Sequence, residues 1–175
     1  MIELRSKRLL LRELTSDDVT ERYASWLRDP DVNQFLETRF EEQTLEKIRA
    51  YVCDQKQRTD SFLLGIFALD GIRHIGNIKL GPINPHHSSA HISFLIGDRQ
   101  SWARGFASEA VRVVTDWGFN TLGLERIEAG CYEKNLGSLR VLLNCGYEVE
   151  GFFRKARIAR DGSRTGSFWL GRLSS

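Results

Sequence analysis

The chain has 175 residues, of which 41% are hydrophobic and 27% are charged. A chain of this length can bury one sizeable core, and the composition is close to that of folded globular proteins, which excludes disorder as a global state. The 25 Lys and Arg against 23 Asp and Glu leave a net charge of +2. That balance excludes the strong basic excess typical of nucleic-acid-binding proteins, so we expect no nucleic-acid partner.

Apolar runs are too short for a membrane span. The longest, residues 62–69, falls far short of the about 20 residues that cross a bilayer. The start of the chain also lacks the apolar stretch of a secretory signal. We therefore expect a cytoplasmic protein with no membrane partner.

Residues that hold metals or form disulfides are few and scattered. Cys53, Cys131 and Cys145 form no CxxC pair, and the four histidines form no HExxH motif. We expect reduced, buried thiols and no metal.

In chain order, the sequence first predicts a strand and two helices. The run LLLREL favours the strand, acidic residues after Thr15 and Ser16 suit the first turn of a helix, and Asp29-Pro30 ends that helix. Apolar residues at helical spacing predict the second helix. These three elements lie at residues 8–14, 17–28 and 44–58.

The rest of the chain is mostly strands. Two apolar runs joined by Asp70-Gly71 predict a hairpin, and further apolar runs predict four more strands interrupted by two helices. The strands lie at residues 62–69, 74–80, 90–96, 126–132, 147–158 and 165–173, and the helices at residues 106–121 and 135–145. Because strands and helices do not alternate strictly, we expect a mixed sheet covered by helices, in a single domain over residues 1–175.

The segment WARGFASEA, residues 102–110, lies between a predicted strand and a predicted helix. Small residues such as Gly105 and Ala107 let the backbone approach a ligand closely, and free N–H groups at a helix start bind anions. Arg104 adds a positive charge. The sequence has no GK[ST] phosphate loop and no GxGxxG fingerprint, so this anion site would be of another kind. A plain turn between a strand and a helix is the alternative.

This segment resembles the signature [Q/R]-x-x-G-x-[G/A] of the GNAT superfamily of N-acetyltransferases. In the branch that includes ribosomal-protein N-terminal acetyltransferases, it reads like W-G-K-G-Y-A-T-E-A. Other motifs of that branch recur along nearly the whole chain. They are RLLLREL, residues 74–78, Asn135 with Ser138, Gly146-Tyr147 and Glu150-Gly151.

The resemblance implies an α+β fold in which a mixed, mostly antiparallel sheet of about six or seven strands is flanked by about four helices. It also implies acetyl-CoA as cosubstrate, with the pantetheine arm between splayed central strands at residues 90–96 and 126–132. The pyrophosphate would bind the helix start, strand N–H groups would stabilise the oxyanion, and polar residues after the second strand would hold the pantetheine. The pyrophosphate-binding residues would be Ala103, Arg104, Gly105, Phe106, Ala107 and Ser108. The strand N–H groups would be those near Leu95 and Ile96, and the pantetheine-binding residues would be Asn135 and Ser138.

The implied reaction is direct attack of a primary amine on the acetyl thioester in a ternary complex. At pH 7 the amine is mostly protonated, so a base must accept its proton. Many relatives carry Glu where this chain has His91, a residue type that titrates near neutrality. Alternatively, His91 lies at the strand end and has no role in catalysis. Many relatives also carry a Tyr that acts as general acid at the position where this chain has Leu142. Here Ser138 or a water would protonate the leaving thiolate, or the thiolate would leave unaided.

The segment between the first two helices shapes the acceptor pocket in this family. Here Phe35, Glu37 and Arg39 mix an aromatic wall with charges, which suits a small polar ligand. Packing of the two helices is the alternative. Residues 26–40 resemble GNAT proteins encoded with surface-polysaccharide enzymes, which implies a nucleotide-linked amino sugar as acceptor. A protein N-terminus or another small amine stays open.

A second hypothesis is a non-catalytic acyl-CoA-binding or regulatory module on the same scaffold. Its best support is Leu142 in place of the tyrosine. Such a module would bind CoA without releasing its thiol. Either protein would be a monomer or a homodimer.

Overall fold

The computed structural model describes residues 2–174, which form one eight-stranded sheet with helices on both faces. The strands are β1 (Glu3–Arg5), β2 (Leu9–Glu13), β3 (Phe62–Ala68), β4 (Arg73–Asn84), β5 (Ser89–Ile96), β6 (Arg126–Tyr132), β7 (Glu148–Ile158) and β8 (Arg164–Leu173). The helices are α1 (Glu21–Arg28), α2 (Pro30–Asn33), α3 (Leu45–Gln57), α4 (Phe106–Asn120) and α5 (Leu136–Asn144). The strand order is β1-β2-β3-β4-β5-β6-β8-β7, and only β5 and β6 pair in parallel. The mixed, mostly antiparallel sheet is thereby confirmed.

Two short elements make the described residues exceed the expected counts of strands and helices. β1 has three residues, and it pairs with β2 in an antiparallel hairpin. A three-residue stretch is too short to show an apolar alternation, so it gave no strand signal. Pro30 follows the end of α1, but it also starts a second short helix, α2. There Asp29 is the N-cap residue and accepts a hydrogen bond from the N–H of Asp31 at 2.8 Å.

The first helix begins later than the sequence indicated. Ser16–Asp18 form a separate 3-10 turn, in which the Asp18 carboxylate accepts hydrogen bonds from the backbone N–H of Thr15 and from the Arg12 guanidinium. The acidic residue that suited a first turn therefore serves an ion pair with β2. α1 instead begins after Thr20, whose hydroxyl caps it.

The run Leu9-Leu10-Leu11 in β2 is buried on both faces of the sheet. Leu9 and Leu11 lie in the cluster shared with α4 and α5, whereas Leu10 lies in the cluster shared with α1 and α3. Successive side chains of a strand point to opposite faces, so a continuous apolar run suits a strand between two helix layers. The sheet thus separates an α4–α5 layer from an α1–α3 layer.

The parallel pairing of β5 with β6 is short. Only residues 89–91 pair with residues 126–128, whereas the β4–β5 ladder continues to Ile96 and the β6–β8 ladder continues to Tyr132. Each strand therefore keeps its outer partner while the two inner edges diverge. The expected splaying of the central strands is confirmed.

The partly buried carboxylate of Glu109 connects the β1–β2 hairpin to the start of α4. The Glu109 carboxylate accepts hydrogen bonds from the Ser6 hydroxyl at 2.7 Å, the Arg8 backbone N–H at 2.9 Å and Arg8 Nε at 2.7 Å. Arg8 also donates to the Arg104 carbonyl at 2.9 Å. Burial raises the pKa of Glu109, but the bonds from Ser6 and Arg8 lower the pKa further, so the net shift is downward. The ionised carboxylate therefore holds residues 102–105 in place.

We predict that Glu109→Gln lowers the free energy of unfolding at pH 7 by about 1–2 kcal/mol, because charge-assisted hydrogen bonds are lost. The folded pKa of Glu109 lies below its unfolded value, so its contribution is fully present above about pH 4.3 and is lost as the pH falls through the folded value. Urea unfolding at about four pH values between about 3.5 and 7 measures the difference in the free energy of unfolding.

The matched control is Glu46→Gln, which changes an exposed carboxylate in the first turn of α3. That variant should differ from the parent by less than about 0.5 kcal/mol at every pH. A Glu109→Gln difference that is equally small, or that persists unchanged at low pH, would contradict the role of the carboxylate.

Candidate active site

A cleft of about 680 Å³ opens where β5 and β6 diverge. Its floor includes Ser93 and Leu95 from β5 and Gly130 from β6, and its walls come from α1, α3 and the turn Glu37–Phe40. Backbone groups of β5 that point toward β6 have no ladder partner beyond residue 91. Unpaired strand N–H groups beside a cleft are available to a ligand.

The loop before α4 has the backbone geometry of an anion site. Ala103 and Gly105 have φ angles of 56° and 79°, in the left-handed region, and Gly105 is the N-cap residue of α4 with no side-chain capping bond. The first N–H groups of α4 are thus free of a capping side chain, with the helix dipole behind them. A Cβ at Gly105 would meet only Arg8 Nη2, at 3.4 Å, so the positive φ rather than a lack of space requires glycine.

Residues 103–108 do not line the cleft itself. Two contacts hold this loop and the start of α4 beside neighbouring elements. Trp102 Nε1 donates to the carbonyl of Ile96 at 2.7 Å, which fixes the loop to the end of β5. The Cys145 thiol donates to the Ser108 carbonyl at 3.3 Å, which fixes the start of α4 beside the end of α5. The loop is thereby held next to Ile96, the residue that follows the cleft-lining Leu95.

The N-terminus of α5 contributes polar groups to the cleft. Asn135 caps this helix, because its Oδ1 accepts the N–H of Ser138 at 3.1 Å, and both side chains line the cleft. Leu142 lies one turn further along the same face, is 1% exposed and also lines the cleft. The structure thus brings Asn135, Ser138 and Leu142 together as the motif required, and an apolar side chain occupies the position expected for a tyrosine.

His91 lies at the last paired position of β5, directly opposite Glu128 of β6. His91 Nε2 is 3.2 Å from Glu128 Oε1, and the imidazole meets the Trp169 ring edge-on at 5.1 Å. Trp169 Nε1 and Arg126 also donate to the Glu128 carboxylate, at 2.9 Å and 3.2 Å. With Nε2 directed to a carboxylate, Nδ1 is the nitrogen free to accept a proton.

The Glu128 carboxylate is kept ionised. Burial raises its pKa, but the hydrogen bonds from Trp169 and Arg126 and the charge of His91 lower the pKa further. Sequence reasoning missed this residue. Polar Arg126 and Glu128 alternate with apolar neighbours in β6, which indicates a polar face, but the pairing with His91 depends on a parallel register that the sequence does not show.

The segment predicted to face an acceptor is anchored on β6. Tyr132 Oη donates to Glu37 Oε1 at 2.8 Å and accepts from Arg39 Nη2 at 3.1 Å, and the rings of Phe35 and Tyr132 are 5.8 Å apart. Phe35, Glu37 and Tyr132 line the cleft. Arg39 does not line it, because its guanidinium also donates to the carbonyls of Leu36 and Ile158. Arg39 thus connects the turn to β7, and its expected role in acceptor binding stays a prediction.

Tyr132 was not among the predicted site residues. Burial raises its pKa, and so does its hydrogen bond to the Glu37 carboxylate, so the phenol stays protonated at neutral pH. Its partners lie 95 and 93 positions away in the sequence, which explains why no local pattern indicated them. Tyr147 does not belong to the site. It is buried outside the cleft, and its hydroxyl lies 2.8 Å from that of Thr115.

All three cysteines are free thiols, but only two are buried. Cys53 is exposed on α3, so the expectation of three buried thiols was wrong for this residue. Cys131 lines the cleft, and burial raises its pKa to about 11, which disfavours the thiolate that a nucleophile needs. Within residues 2–174, no group of three metal-ligating side chains comes together. No helix in that part of the chain is long and apolar enough to cross a membrane.

Comparison with known proteins adds independent evidence. The family described as "Acetyltransferase (GNAT) domain" matches residues 8–148. A relative from Bacillus subtilis (strain 168), named "Probable N-acetyltransferase YjcK", is 33% identical over 158 residues, which cover 87% of this chain and 87% of that protein.

Two solved structures share the fold. A spermidine N-acetyltransferase from Vibrio cholerae, in complex with CoA and spermine, has a TM-score of 0.84 at 19% identity and covers 96% of each chain. RimL, a ribosomal L7/L12 alpha-N-protein acetyltransferase in complex with coenzyme A, has a TM-score of 0.87 at 18% identity and covers 98% of each chain. At such low identity these two show the fold alone. The family match and the Bacillus relative show that the chain belongs to the GNAT family of N-acetyltransferases.

Proposed function

We propose that this N-acetyltransferase uses acetyl-CoA as cosubstrate and transfers the acetyl group directly to a primary amine in a ternary complex. The observation that carries the proposal is the cleft between β5 and β6, together with the uncapped start of α4, whose preceding loop is bonded to Ile96 through Trp102. That arrangement would give a path to a long thioester with an anionic end. The two structural neighbours solved in complex with CoA support the same cosubstrate.

The cosubstrate would lie along this path in three parts. The pyrophosphate would bind the backbone N–H groups of residues 103–108, where Arg104 adds positive charge. The pantetheine would pass between β5 and β6, within reach of the Asn135 side chain. The acetyl carbonyl would lie near Leu95 and Ile96, where a β5 N–H that points toward β6 would stabilise the oxyanion.

The reaction then follows from the groups around the acetyl carbon. The amine nitrogen attacks the carbonyl carbon, a C–N bond forms, and the C–S bond breaks to release the CoA thiolate. His91 Nδ1 accepts the proton that the amine loses, while Glu128 holds the imidazole from the other side. Leu142 supplies no proton, so the Ser138 hydroxyl or a water protonates the thiolate if protonation is required.

The acceptor would enter from the side of α1 and α3, where Phe35 and Glu37 line the cleft. It would be a small amine such as a nucleotide-linked amino sugar, or a protein N-terminus. The non-catalytic alternative retains one observation, the apolar Leu142 at the usual acid position. Release of free thiol with any amine separates an enzyme from a module that only binds CoA.

We predict that Gly105→Glu weakens acetyl-CoA binding by about 100-fold or more, because a carboxylate would occupy the place of the pyrophosphate and repel it. Isothermal titration calorimetry with acetyl-CoA measures the change. The matched control is Gly123→Glu, since Gly123 has a φ of 67° and open space around it. Both variants bear similar backbone strain, so affinity lost equally in both, or in neither, would contradict this location of the site.

We also predict that His91→Ala lowers kcat by about 100-fold, because the group that accepts the proton of the amine is removed. Glu128→Gln, which changes a positioning residue, should lower kcat by about 10-fold, because the carboxylate that holds the imidazole is lost. Acetyl-CoA affinity should be unchanged in both variants.

The control for Glu128 is Glu150→Gln. Glu150 also pairs with Arg126, but it does not contact His91. Its variant should keep the kcat of the parent. An unchanged kcat in His91→Ala would show that another group is the base.

A further inference from the structure

A lysine without a protein partner lies in the acceptor half of the cleft. Lys79 of β4 lines the cleft and is half-buried, in a row with Leu63 of β3 and Ser93 of β5. The groups that act on its charge are Arg58 and Asp60, and no described residue in 2–174 accepts a hydrogen bond from its ammonium group. A half-buried ammonium without a hydrogen-bond partner is costly, and a ligand anion would offset that cost.

The nearby carboxylate is not available to Lys79. Asp60 is held by Arg58 through two hydrogen bonds, at 2.9 Å and 2.7 Å. Burial lowers the pKa of Lys79, and the charge of Arg58 lowers it too, while Asp60 acts in the opposite direction. Pairing with an anion would favour the charged form.

The placement of Lys79 relates it to the acceptor rather than to the phosphates of the cosubstrate. Paired residues of antiparallel strands have Cα atoms about 5 Å apart, and residues two apart on one strand lie about 7 Å apart on the same face. Ser93, the partner of Lys79, is two residues from both His91 and Leu95. The start of α4 packs instead on the opposite face of the sheet.

The other charged groups that line the cleft are Glu37, Glu41, Lys47 and Arg157. The Glu37 carboxylate accepts a hydrogen bond from Tyr132 and lies 3.7 Å from Arg157. Glu41 and Lys47 are exposed, whereas Lys79 is half-buried. Lys79 is therefore the half-buried ammonium of the cleft, and a cationic group of an acceptor next to it would be disfavoured.

We infer that the acceptor is an amine that carries an anionic group, a carboxylate or a phosphate, and that Lys79 binds this group while the amine faces His91. This inference rests on the proposed function. The inference deepens that function, because it makes the charge of the acceptor the property that determines which amine is used. A purely cationic polyamine would place like charges beside Lys79 and Lys47.

The test compares acceptors in matched pairs by thiol release. One pair is 4-aminobutyrate with n-propylamine, which lacks the carboxylate, the other is glucosamine 6-phosphate with glucosamine, and spermidine is the cationic probe. The parent should show a kcat/KM at least about 10-fold higher for the anionic member of one pair, and which pair responds distinguishes a carboxylate from a phosphate. A preference for the uncharged members or for spermidine would overturn the inference.

Variants then assign the preference to Lys79. Lys79→Met keeps the length and apolar stem, and it should raise KM for the anionic acceptor by about 10-fold with little change in kcat. Lys79→Glu should shift the preference toward spermidine. The control is Lys56→Met, which changes an exposed lysine on α3 outside the cleft. A preference that survives in Lys79→Met would overturn the inference.

Direct binding separates this inference from the proposed function. Calorimetry measures binding of the same anionic amines to the protein saturated with CoA, in the parent and in Lys79→Met. Binding that depends on Lys79 without thiol release would contradict the transfer reaction and still support the anion site. Thiol release with amines whose binding does not depend on Lys79 would support the reaction and overturn the anion site.

Discussion

The parallel ladder between β5 and β6 ends at His91 and Glu128, and the active-site geometry depends on that end point. Before it, the two strands are joined and the sheet is continuous. After it, β5 remains paired with β4 and β6 with β8, so neither strand can close the gap without leaving its other partner. Unpaired backbone groups inside a protein require partners, which makes the gap a place for a ligand rather than a defect.

The division of charge around the gap follows from the two helix layers. On the α4 side, the positive end of a helix dipole points outward through a loop that Glu109 and Arg8 hold in place. On the α1–α3 side, Lys79 lines the cleft. The His91–Glu128 pair lies between them at the strand junction. A thioester from one face and an amine from the other would therefore meet at the imidazole.

Much of the architecture was predictable from local patterns. The LLLREL run indicated a strand, which the structure shows to be buried on both faces, and the segment around Gly105 indicated a glycine turn at a helix start, where the structure has a φ of 79°. Such features are fixed by residues close together in the chain, so the sequence shows them directly. β1 and α2 are three and four residues long, which is too short for any periodic pattern to appear.

The side-chain pairs within the site were not predictable in the same way. The contact of His91 with Glu128 depends on a parallel register, and that of Tyr132 with Glu37 joins segments 95 positions apart. Arg39 was placed in the pocket because its neighbours are aromatic and charged, but that composition does not show which way a side chain points. Lys79 gave no signal, because a lysine in a strand is ordinarily solvent-exposed.

Hydrogen–deuterium exchange with and without acetyl-CoA tests most directly whether the gap between β5 and β6 is the cosubstrate site. The account predicts slower exchange on addition of acetyl-CoA at residues 92–97 and 103–109, where unpaired N–H groups would gain partners. Exchange in β7, at the far edge of the sheet, should be unchanged. Protection confined to β7, or no protection at residues 92–97 and 103–109 under saturating acetyl-CoA, would contradict it.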